Sequence, residues 1–192
     1  MRIQSLKISI SGVRGIVGET LTPRLLAAFA GAMGTYVGRG PILVGRDTRR
    51  SGEMVRNAVF AGLLAAGSEP VDLGICPVPS IQIRVAALGA RGAIAITASH
   101  NPVEWNALKF IGPRGLFLNS HQAEELLDVY HQRSFTLVPA AEIRTVREDA
   151  GAIAGHLERL ERFFDVAAVR KARLRVVLDS CNGAGSLAAP KF

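Results

Sequence analysis

Short runs of β-branched and aliphatic residues alternate along the chain with longer stretches whose apolar residues recur every three to four positions. Leu6 to Ile10 predicts a first strand, followed by a loop, SGVRGIVGE, over residues 11–19. Thr22 is placed to cap a helix with Pro23 at its first position, and Leu25, Leu26, Phe29 and Met33 keep helical spacing until Gly38-Arg39-Gly40 ends it. Pro41 to Val44 predicts a strand running into GRDTRRSG, with Ser51 as cap of a helix carrying Met54, Val55, Ala58, Val59, Gly62 and Leu63. A short strand over Pro70 to Leu73, a helix from about Ser80 to Leu88 and a strand over Gly92 to Thr97 follow. Ala107 to Ile111 predicts a further strand, and Asn119 caps a helix reaching about Gln132.

Strands that are apolar on both faces, separated by helices, belong to a sheet covered on both sides. The expected fold class is therefore α/β: a layered α/β/α domain with a mostly parallel mixed sheet and helices on both faces, plus the first strand of a second, similar domain. Residues 134–148 lack a clear period and predict a linker. Residues 149–169 predict one amphipathic helix with Ile153, Leu157, Leu160, Phe163 and Phe164 on one side. Leu174 to Leu178 (LRVVL) predicts an apolar strand before the turn SCNGAG. The expected organisation is a domain over 1–135, a linker and connecting helix over 136–170, and a truncated start of a second domain over 171–192.

Composition sharpens this picture. With 192 residues and 48% hydrophobic side chains, the chain can bury a substantial core. Four Lys against nineteen Arg make its net charge of +7 a guanidinium signal, and all of the excess falls within residues 1–120. A guanidinium fork fits phosphate and carboxylate oxygens, so a phosphorylated small molecule is as good a partner as nucleic acid on charge alone. Scarce Lys, 6% aromatic residues and no reader motif count against nucleic acid. Cys76 and Cys181 are far apart and form no CxxC, which supports neither a disulfide framework nor a zinc ribbon. No apolar run approaches the ~20 residues of a membrane span, and a cytoplasmic location is expected.

The segment richest in chemistry is Thr97-Ala98-Ser99-His100-Asn101-Pro102, because a hydroxyl just past the end of an apolar strand stands where open α/β sheets hold ligands. Pro102 stiffens the loop and small Ala98 leaves room beside Ser99; an ST-turn is the structural alternative. No GxSxG elbow surrounds Ser99 and no carboxylate is evidently placed to orient His100, so a hydrolase triad fits poorly. The P-loop and GxGxxG patterns are also missing.

TASHNP at 97–102 and the downstream WNALKF at 105–110 resemble the active-site serine loop of the α-D-phosphohexomutases, the superfamily of phosphoglucomutases, phosphomannomutases and phosphoglucosamine mutases. SGVRGIVGE at 11–19 is similar to the family's N-terminal arginine loop, and VGRDTRRSGE at 44–53 to its GRDxRxSG segment. The resemblance covers residues 5 to 192, with LRVVLDSCNGAG matching the opening of the family's second domain.

This resemblance implies that the domain over 1–135 is the catalytic-serine domain. A phosphoserine at Ser99 would exchange its phosphoryl group with a phosphorylated hexose through a bisphosphorylated sugar, for a net shift between positions 1 and 6. It implies Lys109 as candidate general acid or base, Arg14 as an organiser of the site, and His100 in a supporting role. Arg14, Ser99, Lys109 and Arg46 are the implied phosphate or substrate contacts. Magnesium is the implied cofactor, held partly through the phosphate on Ser99, with a hexose bisphosphate as activator. On chemistry alone Lys109 is either a proton donor or a plain counter-charge, and Arg46, Arg49 and Arg50 stay unranked. Asp47 followed by Thr48 is also suited to an Asx-turn.

The family's Asp-rich metal loop, its sugar-selecting loop and its phosphate clamp do not occur in these 192 residues. The chain taken alone is therefore expected to lack useful mutase activity, with the remaining domains of the same polypeptide as partners, and without nucleic acid or membrane. Which hexose phosphate is preferred stays open, and a non-enzymatic phosphate-binding module is the competing reading.

Overall fold

The computed structural model describes residues 6–9 and 12–191. Seven strands form one sheet: β1 (Lys7–Ser9), β2 (Gly12–Ile16), β3 (Pro41–Arg46), β4 (Glu69–Ile75), β5 (Gly92–Ile96), β6 (Trp105–Ile111) and β7 (Arg147–Glu148), in the order β1-β2-β6-β5-β3-β4-β7. β5, β3, β4 and β7 run parallel. β1, β2, β6 and β5 pair antiparallel, so the mixed sheet divides into two halves that meet at β5.

Helices α1 (Pro23–Val37), α2 (Gly52–Ala65) and α4 (Ser120–Gln132) pack on one face, and α3 (Val78–Leu88) and α5 (Ala152–Glu161) on the other. The chain moves from β3 to its neighbour β4 through α2, then returns past β3 to β5 through α3. Two right-handed crossovers in opposite directions put their helices on opposite faces, which is why the sheet is covered twice. Leu43, Ala93 and Ala95 face α3, whereas Val44, Ile94 and Ile96 face α1 and α2, and all six are buried.

Local signals account for most helix ends. Thr22 accepts from the Leu25 amide at 3.3 Å, and Asn119 and Gln122 form a reciprocal capping box. Ser51 is the exception: it stands before α2 but makes no capping bond, because its hydroxyl accepts from buried Asn106 at 2.9 Å.

Five further expectations are corrected. Residues 12–16 of the expected loop are strand β2, because β1 and β6 supply hydrogen-bonding partners on both sides and Val13 is buried between the layers. Ile10 and Ser11 lie outside the described residues. The expected linker over 134–148 contains a 3-10 turn, Ala140–Glu142, and β7, which extends the parallel edge. The helix expected over 149–169 breaks after Glu161; Asp165 caps a separate α6 (Val166–Lys171) by accepting from the Ala168 amide at 2.9 Å. Phe163 and Phe164 consequently fall in the break and are exposed rather than buried. Residues 174–178 form no strand, and Val177 is 99% exposed, because an apolar run becomes a strand only when a neighbour accepts its backbone bonds.

α5 is fastened to α3 by polar contacts as well as by Ile153. Arg84 makes a bidentate pair with Asp149 at 2.7 and 2.8 Å, and fully buried Ser80 meets His156 Nδ1 at 2.9 Å. Burial holds the His156 pKa below its ordinary value. The unfolded chain then binds the proton more readily, so this contribution to stability is complete above about pH 6.5 and is lost as pH falls through that value. Thermal melts from pH 7.5 to 5.5 are expected to show a larger loss of Tm for the wild type than for His156→Gln, whereas parallel curves would remove His156 as the cause.

Candidate active site

Strand β5 is apolar and buried throughout its length, so the chain leaves the sheet only at Thr97. The following loop is braced from within: the Ser99 amide donates to Thr97 Oγ1 at 3.1 Å, and Asn101 reaches the Ala98 carbonyl through its backbone amide and its side chain, at 3.1 and 2.7 Å. This is an ST-turn, and it presents Ser99 outward. Ser99 has φ +57°, a left-handed conformation that costs an L-residue roughly 1–2 kcal/mol.

Arg49 holds that conformation. Its Nη1 donates to the carbonyls of Pro102 and Trp105 at 2.7 and 3.1 Å, and its Nη2 to those of Ser99 and Asn101 at 3.1 and 2.7 Å. Its Nε donates to Asp47 at 3.2 Å, while the other Asp47 oxygen accepts from the Arg49 amide at 3.0 Å, closing the Asx-turn. All five N–H groups of the guanidinium are engaged. The residue left unranked by sequence is thus the clamp of the serine loop, and it has no donor free for a ligand.

Ser99, Arg14, His100 and Lys109 line one cavity of about 160 Å³, with Gly12 and Thr97. Arg14 stands on β2 opposite Ala107 of β6, and Lys109 follows two residues along β6, so both cations share the face that meets the serine loop. Lys109 is half-buried, with its Nζ 5.8 Å from the centre of the Phe117 ring. Gly12, at φ +114°, packs so closely on the Leu108 carbonyl that a Cβ would collide with it. His100 is exposed, its Nδ1 3.4 Å from Ser99 Oγ, beyond the reach expected of a base poised for that proton.

Arg46 does not join this cluster. It lines an adjoining cavity of about 400 Å³ that shares Ser99 and Thr97 and is closed by Ser180, Cys181 and Gly183. There its Nη1 lies 3.4 Å from the Asp47 carbonyl and its Nε is buried without a bond. Thr48 donates to the Asn182 carbonyl at 2.9 Å and ties the 180–184 loop across this opening. Buried Cys76 lines the same cavity with its thiol pKa pushed up to about 12, chiefly by burial, which makes it inert.

Magnesium does not fit the described residues alone. No group of three or more His, Cys, Asp or Glu among them is placed to hold a metal ion, and both Asp47 oxygens are engaged with Arg49. No helix among the described residues is long and apolar enough to cross a membrane.

The model of the phosphoglucomutase/phosphomannomutase α/β/α domain I matches residues 6–137. The chain belongs to this family. It is 38% identical over 184 residues to a phosphoglucomutase/phosphomannomutase of Thermococcus kodakarensis, covering 93% of this chain and 40% of the relative. It is 34% identical over 181 residues to a phosphoglucosamine/phosphogalactosamine mutase of Sulfurisphaera tokodaii, covering 93% and 40%. A crystal structure of a putative phosphomannomutase from Thermus thermophilus superposes with a TM-score of 0.72 at 27% identity, over 86% of this chain and 37% of that one. A phosphoglucomutase from Paramecium, pp63/parafusin, shares the fold at a TM-score of 0.75 and 16% identity, over 97% of this chain and 40% of that one. The chain thus spans about 40% of the length of the curated relatives it matches.

The clamp is open to a direct test. Arg49→Lys keeps the charge but loses the planar fork, leaving carbonyls of the serine loop without donors. The variant is expected to lose on the order of 2–4 kcal/mol of stability, with faster amide exchange concentrated in residues 99–105. Wild-type exchange in that segment would show that the clamp is dispensable.

Proposed function

We propose that this chain is the catalytic-serine part of a phosphohexomutase and that Ser99 carries the phosphoryl group. One observation carries the reading: an outward-turned serine shares a cavity with Arg14 and Lys109, and among the described residues no carboxylate lines it. A pocket lined by two cations and a hydroxyl suits a tetrahedral dianion better than it suits an acyl substrate.

In this mechanism a hydroxyl of the bound hexose phosphate attacks the phosphorus of phosphoserine 99. The new bond joins phosphorus to the sugar oxygen, the bond to Ser99 Oγ breaks, and the hydroxyl proton is passed on to the departing Ser99 Oγ, with Lys109, the candidate general acid or base, as the relay. The resulting bisphosphorylated sugar turns over and returns its other phosphoryl group to Ser99 Oγ, the proton going back to the sugar oxygen. Arg14 balances charge on the transferring group, and His100 supports the loop. Arg46 faces the larger cavity, where a sugar phosphate has room.

The remaining groups come from elsewhere in the longer protein. Residues 136–170 connect and residues 171–192 open a second domain, whose sheet would cover the apolar side chains that Leu174, Val176 and Leu178 expose. Magnesium belongs to that assembled site, where the phosphate on Ser99 would supply part of its ligand set. The chain alone is then without useful mutase turnover.

Incubation with glucose 1,6-bisphosphate followed by peptide mass spectrometry is expected to find one phosphoryl group on Ser99 and none in Ser99→Ala. In the longer protein, Lys109→Met is expected to lower kcat by about 10²–10⁴-fold. An unmodified Ser99 under the same treatment would favour a phosphate-binding module without the relay.

A further inference from the structure

The antiparallel half of the sheet sets a third cation beside the two already described. In the β1–β2 register Lys7 is directly opposite Arg14 and Ser9 directly opposite Gly12. Residues opposite each other in an antiparallel pair project from the same face. Arg14 in turn is opposite Ala107, so Lys7, Arg14 and Lys109 stand on one face of three adjacent strands. That face looks onto the serine loop, because Ser9, Gly12, Arg14, Ala107 and Lys109 all line the cavity with Ser99.

Two like charges directly opposite each other destabilise a strand pair. Among the described residues no carboxylate is paired with Lys7, Arg14 or Lys109, although seven other ion pairs are formed elsewhere. An uncompensated cation pair at an edge is a cost in the free protein that a bound dianion removes.

We infer that Lys7 is a phosphate-positioning residue: with Arg14 it forms an anion shelf that continues the Ser99 cavity along β1. The inference deepens the proposed phosphoryl transfer, on which it rests for the identity of its ligand, by adding a residue that holds the phosphate without touching the bond that breaks. Arg14 is then steered on one flank by repulsion from Lys7 and on the other by the phosphate, which fixes its guanidinium at the cavity mouth.

The test uses the 192-residue chain and inorganic phosphate at low ionic strength, with calorimetric titration and thermal melts of the wild type, Lys7→Gln and Lys7→Arg. Lys7→Gln is expected to weaken phosphate binding roughly three- to tenfold, with Lys7→Arg near wild type. Without phosphate, Lys7→Gln is expected to melt at or above the wild type, and to gain less Tm when phosphate is added. A merely structural lysine would show the opposite, a lower melting point without phosphate and an unchanged affinity. The inference is overturned by that pattern, by wild-type affinity in Lys7→Gln, or by a wild type that binds no phosphate. Treating the same samples with glucose 1,6-bisphosphate separates the two ideas. Modified Ser99 with unchanged phosphate affinity in Lys7→Gln removes only the shelf, whereas unmodified Ser99 with weakened affinity removes only the relay.

Discussion

The site depends on one guanidinium. Arg49 places its donors on the carbonyls of Ser99, Asn101, Pro102 and Trp105 and on the carboxylate of Asp47, and so ties the end of β3 to the connection between β5 and β6. A connection of this length has no sheet partners of its own, and its carbonyls need donors wherever water is excluded. Lys in that position has three donors and no planar fork; an apolar residue has none. The clamp lets Ser99 hold a left-handed backbone without losing order around it, which is how local strain persists at a site. It also divides labour among the arginines: Arg49 is used up in structure, Arg46 turns to the adjoining cavity, and the cations at the Ser99 cavity are those on the antiparallel strands.

That division follows the two halves of the sheet. The parallel half brings the ends of β3 and β5 side by side, and their loops carry Arg46 to Arg49 and Thr97 to Asn101 to one edge. The antiparallel half approaches the same edge with β2 and β6, whose alternation lifts Arg14 and Lys109 onto one face while Val13 and Leu108 are buried on the other. Neither half builds the cavity alone. A slip of one residue in the β2–β6 register would bury the cations and expose the core residues, so the hydrophobic pattern of these strands is also what aims the charges.

Much of this was legible in the sequence, for reasons that differ by element. β3 and β5 announce themselves because a strand buried on both faces must be apolar throughout, and α1 and α4 because Thr22 and Asn119 are local signals read over three residues. Of the motif residues, Ser99, Arg14 and Lys109 share one cavity, whereas Arg46 lines the adjoining one. β2 was not, since Gly12 and Gly15 are weak strand formers and its partner β6 lies some ninety residues downstream. The reverse error occurred at 174–178, where a strong local preference has no neighbour to satisfy it. Arg49 was illegible for a further reason: its partners are carbonyls, which every residue carries, so only Asp47 two positions earlier hinted at its role.

The distribution of charge then takes on a physical meaning that composition could not supply. Three of the six carboxylates in the first 120 residues stand in ion pairs, Asp47 with Arg49, Asp72 with Arg56 and Glu69 with Arg147, and among the described residues none lines the Ser99 cavity. The charge there comes from Arg14 and Lys109, carried on strands that Val13 and Leu108 hold to the core from beneath. The Ala95 and Lys109 pairing couples the strand that ends at the serine loop to the strand that carries the lysine. Displacing either moves both, and a cavity of about 160 Å³ leaves little room for such a displacement.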